Sequence, residues 1–249
     1  LMKSSKEARN EALPQLLLDL AEEHDRGKVL AKVPLSLKKA FLDHGYVIEA
    51  RVRGLFGRED GIFVAFYRDV GRDTVLSDAE VSILHRCVDQ EPDPCTDGQD
   101  VVEMTEAQAS SISALMSEVF PGYPFPVHDP AFVEESMRHG TRYFGVMEED
   151  DLLSVASAEC DSDHRCAELT DMATKEDRQG QGLSSKVLCH MQGRLKADGY
   201  RRVYTIARSC SPAVNAIFAK QGFFYAGTLR SNTYFGDRLE NMNVWHRRL

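Results

Sequence analysis

Residues 174–184 read Thr174-Lys-Glu-Asp-Arg-Gln179-Gly-Gln-Gly182-Leu-Ser184, and this stretch decides the fold. It follows a predicted strand, Cys166–Thr174, and opens a predicted helix, Leu183–Ala197. Glycines let the backbone turn tightly and come close to a ligand. The N–H groups at a helix start, together with the positive end of the helix dipole, favour a compact anion such as a pyrophosphate. The stretch therefore predicts a phosphate-binding loop.

Two other kinds of phosphate-binding loop do not match. A P-loop requires Gly-Lys-Ser/Thr, whereas Gly182 is followed by Leu183. A Rossmann loop requires a third glycine where this chain has Ser185, and it belongs to a fold of repeated strand–helix units. Here three predicted strands follow one another as a meander: Arg142–Met147, Leu152–Cys160 and Cys166–Thr174. The pattern argues against a dinucleotide-binding fold and favours a mainly antiparallel sheet.

The meander belongs to a larger unit of alternating helix and strand signals, residues 101–249. After the loop, the patterns predict a strand, a helix and a final strand pair: Arg202–Arg208, Pro212–Gln221, Phe223–Ser231 and Glu240–Arg247. The fold class expected from these elements is α/β, of the α+β kind, with a mixed and mostly antiparallel sheet.

Spacing patterns relate the first part of the chain to the last. Phe41, Gly45 and Tyr46, near the end of a predicted helix, have the spacing of Phe218, Gly222 and Phe223. Two hairpin dipeptides recur in the same way: Phe56-Gly57 and Tyr67-Arg68 match Phe235-Gly236 and His246-Arg247. We therefore expect residues 1–88 to be a degenerate half-copy that pairs with, or packs on, a complete domain at residues 101–249. Residues 89–100, rich in proline and acidic side chains, are the expected linker.

The charge of the chain is unevenly distributed. The formal net charge is -9, with 30 basic and 39 acidic residues. An acidic chain argues against general nucleic-acid binding. Residues 101–171 are strongly acidic and residues 172–249 are basic, so a cationic substrate would suit the former and a compact anion the latter. The alternative, that these charges are solvated and neutralise one another across the fold, stays open.

The cysteines and the first residues bear on the compartment. The six cysteines include no CxxC pair, so we expect reduced thiols in a cytoplasmic protein. Cys160, His164 and Cys166 fit no standard zinc spacing, and a polar turn is the expectation there, with no metal. No apolar run approaches the ~20 residues that span a bilayer, and Leu1–Asn10 lacks the features of a signal peptide. The chain does not begin with methionine, so upstream residues could be missing.

The loop Gln179-x-x-Gly182-x-Ser184 resembles the acetyl-CoA loop Gln/Arg-x-x-Gly-x-Gly/Ala of the GNAT N-acetyltransferases. The strand Val203–Arg208 and the later run Ala219-x-x-Gly222-Phe223 fit the same family. The resemblance covers about residues 101–249. It implies the GNAT acyl-CoA N-acyltransferase fold, acetyl-CoA as co-substrate, no metal, and a GNAT-like origin for the N-terminal half-domain.

Further runs resemble one branch of that family, the beta-lysine N6-acetyltransferases. They are Ala167–Thr174, Tyr204–Arg208, Gly227–Leu229, Glu240–Trp245, Ala31–Pro34 and Gly45–Ala50. This implies direct attack by the N6 amine of beta-lysine in a ternary complex, a compatible solute as product and a lysine 2,3-aminomutase as upstream partner. Other acceptors (a polyamine, another amino acid, a peptide N-terminus), a non-catalytic acyl-CoA sensor and a homo-oligomer stay open.

The resemblance also implies roles for residues near the loop. Backbone N–H groups of the loop would bind the CoA pyrophosphate, in the stretch Gln179, Gly180, Gln181, Gly182, Leu183 and Ser184. Strand edges at Met172, Ala173 and Thr174 would take the pantetheine arm, and one of their N–H groups would polarise the thioester carbonyl. An amine of pKa about 10.4 must lose a proton before it attacks, so a carboxylate is expected close by. Glu168 is the first candidate and Asp171 the second, and their spacing puts them on opposite faces of an ideal strand.

The chain departs from the family pattern at two positions. The tyrosine that donates a proton to the CoA thiolate in many GNAT enzymes is replaced by Phe218, so Tyr225, Tyr204 or no side chain would serve. The usual CoA-contacting asparagine is replaced by Ser211, with Asn215 as a substitute one turn on.

Residues for the acceptor are expected among polar side chains near the C-terminus. Arg208 or Arg230 would bind a carboxylate. Asn232, Glu240 and Asn243 fall in the family-like runs, and the alternative that each is an ordinary surface or turn residue stays open.

Overall fold

The structure is a computed structural model of the chain that describes residues 2–3, 12–93, 98, 100–120, 122 and 125–249. Within these residues, the sheet has eleven strands. The strands are β1 (Met2–Lys3), β2 (Lys28–Pro34), β3 (Val47–Phe56), β4 (Glu59–Tyr67), β5 (Val101–Glu103), β6 (Thr141–Glu148), β7 (Asp151–Asp161), β8 (Cys166–Thr174), β9 (Arg202–Arg208), β10 (Phe224–Phe235) and β11 (Arg238–Arg248). The helices are α1 (Leu13–Glu23), α2 (Lys38–Asp43), α3 (Asp78–Val88), α4 (Ala109–Val119), α5 (Pro130–Arg138), α6 (Leu183–Ala197) and α7 (Pro212–Lys220).

The strands form one continuous sheet in the order β1-β2-β4-β3-β10-β11-β9-β8-β7-β6-β5. The pairs β1/β2 and β8/β9 are parallel, and the other described pairs are antiparallel. The predicted α/β class with a mixed, mostly antiparallel sheet is therefore confirmed.

The N-terminal unit, residues 12–88, continues the sheet of the rest of the chain. Its order β2-β4-β3 is mirrored by β9-β11-β10 on the other side of the β3/β10 junction, where Ala50 pairs with Gly227. The two helix ends noted in the sequence also match, since Tyr46 N bonds Phe41 O at 3.2 Å and Phe223 N bonds Phe218 O at 3.1 Å. That the N-terminal unit is a degenerate copy stays a prediction, as do the proposed domain boundaries.

Four apolar clusters hold these layers together. Helices α3, α6 and α7 pack on one face of the sheet, and α4 and α5 on the other. A third cluster joins α1 and α2 to β2 and β4. The fourth consists of strand residues alone and packs β3 and β4 against β8, β9 and β11, among them Phe63, Tyr204 and Val244. Because the sheet curves onto itself there, the N-terminal unit reaches the strands that follow the meander.

Element bounds agree with the sequence patterns in most places. Helix α6 and strand β9 have the predicted bounds. The predicted end of β10 at Ser231 is wrong, because the strand passes through a register shift there and continues to Phe235. Ser231 has φ 42°, which marks the irregularity. Residues 94–97 and 99 of the expected linker lie outside the described residues.

The structure also bears on the cysteines, on metal binding and on membrane-spanning helices. Cys87, Cys160, Cys166 and Cys210 are free thiols, but Cys189 is disulfide-bonded, which corrects the expectation of reduced thiols; Cys95 lies outside the described residues. In the described ranges, no group of three or more His, Cys, Asp or Glu side chains is placed to hold a metal ion. Of the helices in those ranges, none has the length and apolar character needed to cross a bilayer.

Candidate active site

The loop before α6 forms an open cradle of backbone N–H groups. Gly180 and Gly182 have φ of 76° and 78°, a left-handed conformation that glycine adopts without strain. A Cβ added at either position would have no atom within 4 Å, so the space above both is open. Helix α6 has no side-chain cap, which leaves the N–H groups of its first turn without partners in the helix. An anion of the size of a pyrophosphate fits this arrangement.

Side chains hold the cradle from behind and leave its backbone exposed. Ser184 Oγ lies 2.7 Å from Thr174 Oγ1, which lies 2.8 Å from Ser154 Oγ. Gln179 Nε2 donates to Thr174 O at 3.4 Å, and Leu183 is buried beneath the loop in the core. The start of α6 is thereby fixed to the end of β8. Gln179 and Ser184 position the loop through these contacts.

Strands β8 and β9 diverge beside the cradle. Their parallel ladder ends at the pair Glu168/Tyr204, although β8 continues to Thr174 and β9 to Arg208. Beyond this pair lies a channel of about 170 Å³ lined by residues of both strands and of α7, including Met172, Thr205 and Phe218. Backbone groups on the two facing edges have no ladder partner across the gap. A linear amide chain such as pantetheine can pair with such edges.

A bulge in β8 changes the direction of its side chains. Thr170 pairs with Ser157 and Ala173 with Val155, so Asp171 and Met172 together stand opposite one residue of β7. Asp171 has φ 45°. The extra residue shifts the alternation by one, and both Glu168 and Asp171 line the same cleft. The expectation that they lie on opposite faces is therefore wrong.

The cleft lies between the N-terminal unit and the diverging strands, and it encloses about 1010 Å³. Residues of α1, of β2 and of the turn between them form one wall, and residues of β7 to β11 form the facing wall. The segment 125–143, which includes α5 and the start of β6, also lines the cleft. It meets the channel at a junction formed by Thr170, Asp171, Ile206, Phe235 and Met242, which line both. Three acidic side chains, Glu159, Glu168 and Asp171, line the cleft. A cationic acceptor in the cleft would therefore meet carboxylates next to the end of the channel.

Hydrogen bonds fix the two candidate bases. Tyr204 Oη donates to Glu168 Oε2 and accepts a hydrogen bond from the Lys32 ammonium. Burial, with Glu168 adding to it, raises the pKa of Tyr204 well above its usual value, so Tyr204 stays a proton donor to Glu168. Ser157 Oγ donates to Asp171 Oδ2 at 2.9 Å.

No tyrosine hydroxyl lines the channel in the described part of the chain. Phe218 lines it and carries no proton to donate. Tyr225 lines neither the channel nor the cleft; its hydroxyl lies 2.6 Å from Thr228 Oγ1, and its ring packs on Trp245. The structure thus brings Phe218 to the site and leaves Tyr225 outside it.

Asn215 and Asn243 belong to a buried network instead of a binding surface. Both side chains are fully buried. Asn215 Nδ2 donates to the carbonyls of Arg208 and Ser211 at 2.8 and 2.7 Å, and its Oδ1 accepts from Asn243 and Trp245 at 2.9 Å each. Since Thr228 Oγ1 donates to Asn243 Oδ1 at 2.7 Å, neither asparagine faces a ligand. Ser211, at the start of α7, does line the channel.

The arginines expected to bind a carboxylate already have acidic partners. Arg208 makes two hydrogen bonds to Glu240, at 2.7 and 2.6 Å, which hold the pKa of Glu240 below its usual value. Arg230 pairs with Glu49 and Asp73. Of the acceptor residues expected from the sequence, Asn232 lines the cleft and Arg208 the channel. The sequence patterns missed Lys32, whose ammonium meets the hydroxyl of Tyr204 across 172 positions of the chain. Tyr204 itself was one residue expected to protonate the CoA thiolate, but it lines a cavity adjoining the cleft and not the channel.

The chain is similar to known acetyltransferases in sequence and in fold. A model described as "Acetyltransferase (GNAT) family" matches residues 111–223. The chain is 32% identical over 232 residues to the beta-lysine N(6)-acetyltransferase of Methanococcus maripaludis, covering 92% of this chain and 85% of that protein. It is 30% identical over 250 residues to the N-acetyltransferase YodP of Bacillus subtilis, covering 97% and 89%. The ribosomal-protein-S18-alanine N-acetyltransferase of Escherichia coli has the same fold over 59% of this chain and 92% of its own, with a TM-score of 0.53 at 16% identity.

Proposed function

The chain belongs to the GNAT acetyltransferase family, and from this we propose that it transfers the acetyl group of acetyl-CoA to the N6 amine of beta-lysine. The choice of acceptor is supported by the relative named as a beta-lysine N(6)-acetyltransferase, which matches nearly the whole chain, N-terminal unit included. A lysine 2,3-aminomutase would supply that acceptor, and the acetylated product would be a compatible solute.

One observation carries the proposal: the channel between β8 and β9 opens into a large cleft lined by carboxylates. Acetyl-CoA, when bound, supplies the acetyl group as an activated thioester. The N–H cradle at Gly180–Ser184 would hold its pyrophosphate, and the edges at Met172, Ala173 and Thr174 would hold the pantetheine arm. A backbone N–H on that edge, directed at the thioester oxygen, contributes about 2.7–4 kcal/mol to catalysis in comparable sites.

The carboxylates of the cleft serve the acceptor. A lysine-type ammonium has a pKa of about 10.4, so a base must take its proton before the nitrogen can attack. Asp171 lines both the channel and the cleft, which places it at their junction. Glu168 lines the cleft but not the channel. We therefore assign proton removal to Asp171, held by Ser157, and keep Glu168 as the alternative base.

An acceptor panel tests the proposed function. The purified chain is given acetyl-CoA with beta-lysine, lysine, a polyamine or a peptide with a free N-terminus, and CoA release is followed with a thiol reagent. We expect beta-lysine to be preferred and mass spectrometry to place the acetyl group on N6. Good turnover of a peptide with none of beta-lysine contradicts the proposal. Calorimetric binding of acetyl-CoA without turnover of any amine would identify a sensor instead.

A further inference from the structure

The cleft has walls of opposite charge. The wall from the N-terminal unit carries basic side chains: His24, Arg26, Lys28 and Lys32. The facing wall carries Glu159, Glu168 and Asp171. An amino acid with an amine at its far end carries both signs of charge. Placed across this cleft, it would direct its reactive amine to the acidic junction and its carboxylate to the basic wall.

Lys32 differs from the other basic residues of that wall. Lys28 is neutralised by Glu49, whose Oε2 lies 2.8 Å from its ammonium. His24 and Arg26 are exposed to solvent. Lys32 is only 6% exposed, and its ammonium contacts the hydroxyl and the ring face of Tyr204. Among the described residues, no carboxylate lies within 4 Å of it. A buried ammonium without an ion-pair partner is strongly disfavoured, so a ligand anion beside it would be bound firmly.

The surroundings of Lys32 suit the head group of an amino acid. A second cavity of about 200 Å³, adjoining the cleft, is lined by Lys32 and Tyr204 and by four carboxylates, those of Glu159, Asp161, Asp163 and Glu168. The carboxylate of beta-lysine is separated by one methylene from the carbon that bears its second amine. With the carboxylate on Lys32, that second ammonium would share the cavity with Glu159 and Glu168. The rest of the chain would then extend along the cleft, which Asp171 also lines.

We propose that Lys32 of the N-terminal unit binds the carboxylate of the acceptor, an inference that rests on the proposed function. The N-terminal unit thereby selects acceptors that carry a carboxylate at the end opposite the reactive amine. Arg208 and Arg230 do not take this part, because Glu240 occupies the first and Glu49 and Asp73 the second. The rival role for Lys32 is to position Glu168 through Tyr204 without contact to the acceptor.

The test compares beta-lysine with the diamine left when its carboxyl group is replaced by hydrogen. For the wild-type chain, kcat/KM should favour beta-lysine by roughly 10- to 100-fold, since a hydrogen bond between charged groups is at stake. Lys32→Met should abolish most of this preference, mainly by raising KM for beta-lysine. Lys32→Arg keeps the positive charge and should restore part of it. Arg26→Met, which removes an exposed charge from the same wall, should change the preference by less than threefold.

Each outcome separates the two proposals. If wild type does not acetylate beta-lysine, the proposed function fails. If it does, but without preference over the diamine, the assignment of Lys32 fails while the proposed function stands. A fall in kcat by the same factor on both acceptors in Lys32→Met, reproduced by Tyr204→Phe, would assign Lys32 to the positioning of Glu168 and overturn the carboxylate role. Circular dichroism melting of each variant verifies that it is folded.

Discussion

The side-chain amide of Asn215 already uses its donors and its acceptor in buried hydrogen bonds, so it has none left for a ligand. Two carbonyls near the start of α7 and two donors, on Asn243 and Trp245, all meet its one amide group. Asn215→Ala strands Asn243 Nδ2 and Trp245 Nε1 in the core, at about 1–3 kcal/mol for each buried unsatisfied group. We expect the free energy of unfolding to fall by about 3–5 kcal/mol in urea denaturation. Asn232→Ala, at the half-buried cleft wall, is the control and should cost less than about 1 kcal/mol; equal losses would contradict the network.

The two acidic side chains on β8 give separable predictions. Asp171 lines the junction of channel and cleft, so Asp171→Asn should lower kcat by about 100-fold or more, the usual contribution of a general base. Glu168 lies beside Lys32 and Tyr204, and Glu168→Gln should act mainly by raising KM for beta-lysine. Steady-state kinetics with both substrates varied measures the two effects. The reverse pattern would make Glu168 the base, as the sequence resemblance first implied.

Tyr225 offers a third test among single side chains. Its hydroxyl bonds Thr228, and its position on β10 is away from both cavities. Tyr225→Phe should therefore leave kcat within about twofold and cost about 1 kcal/mol of stability, the value of one hydrogen bond. A large loss of kcat with unchanged melting temperature would instead identify Tyr225 as the group that protonates the leaving thiolate.

Among the elements, the cradle before α6 depends on glycine for two separate reasons, and a matched pair of variants separates them. Gly182 and Gly199, at the two ends of α6, both have left-handed φ, and neither has an atom within 4 Å of an added Cβ. Alanine at either position pays the same backbone penalty, about 1 kcal/mol. At Gly182 the methyl group also enters the space that the pyrophosphate would fill. Calorimetry should show acetyl-CoA affinity reduced more than tenfold in Gly182→Ala and unchanged in Gly199→Ala; similar affinities would remove the coenzyme from this cradle.

The bounds of α6 and β9 could be predicted because local signals define them. Gly199 ends the helix, and the strand between two turns is apolar. The bulge at Asp171 and the irregularity at Ser231 left no local signal, so the face assigned to Asp171 and the end of β10 were wrong. No local pattern marks the pair Glu168/Tyr204, where the ladder between β8 and β9 ends. The family resemblance implied only that the strand edge at Met172–Thr174 would hold the pantetheine arm.

At the scale of the whole molecule, contacts between segments far apart in sequence form the acceptor cleft, and sequence patterns do not predict such contacts. Lys32 and Tyr204 meet because the sheet curves until β2 faces β9, and no periodicity of either strand specifies that curvature. The same curvature turns the N-terminal unit into one wall of the cleft. The cradle and the channel, in contrast, consist of residues after position 119. The N-terminal unit therefore contributes to the acceptor cleft but not to the cradle or the channel, whereas β8 and β9 line both the cleft and the channel.

A variant at the β3/β10 junction can test whether the N-terminal unit contributes to acceptor binding alone. A Cβ at Gly227 would overlap the carbonyl oxygen of Glu49 and the backbone of Ala50, and its φ of 140° already disfavours a side chain. Gly227→Ala should therefore lower the free energy of unfolding by about 2–4 kcal/mol, since overpacking adds to the backbone penalty. Gly140→Ala is the control, because it shares a positive φ but would meet only Cys160 O, at 3.8 Å. Urea denaturation followed by the fluorescence of Trp245 compares the two.

In the folded Gly227→Ala protein, KM for beta-lysine and affinity for acetyl-CoA are then compared with those of wild type. A junction forced open shifts β2 relative to β9, which moves Lys32 and the basic wall but not the N–H cradle at Gly180–Ser184. We expect KM for beta-lysine to rise about tenfold or more, the value of one weakened charged hydrogen bond. Affinity for acetyl-CoA should stay within about twofold of wild type. If both affinities fell together, the N-terminal unit would support the whole site and not the acceptor wall alone.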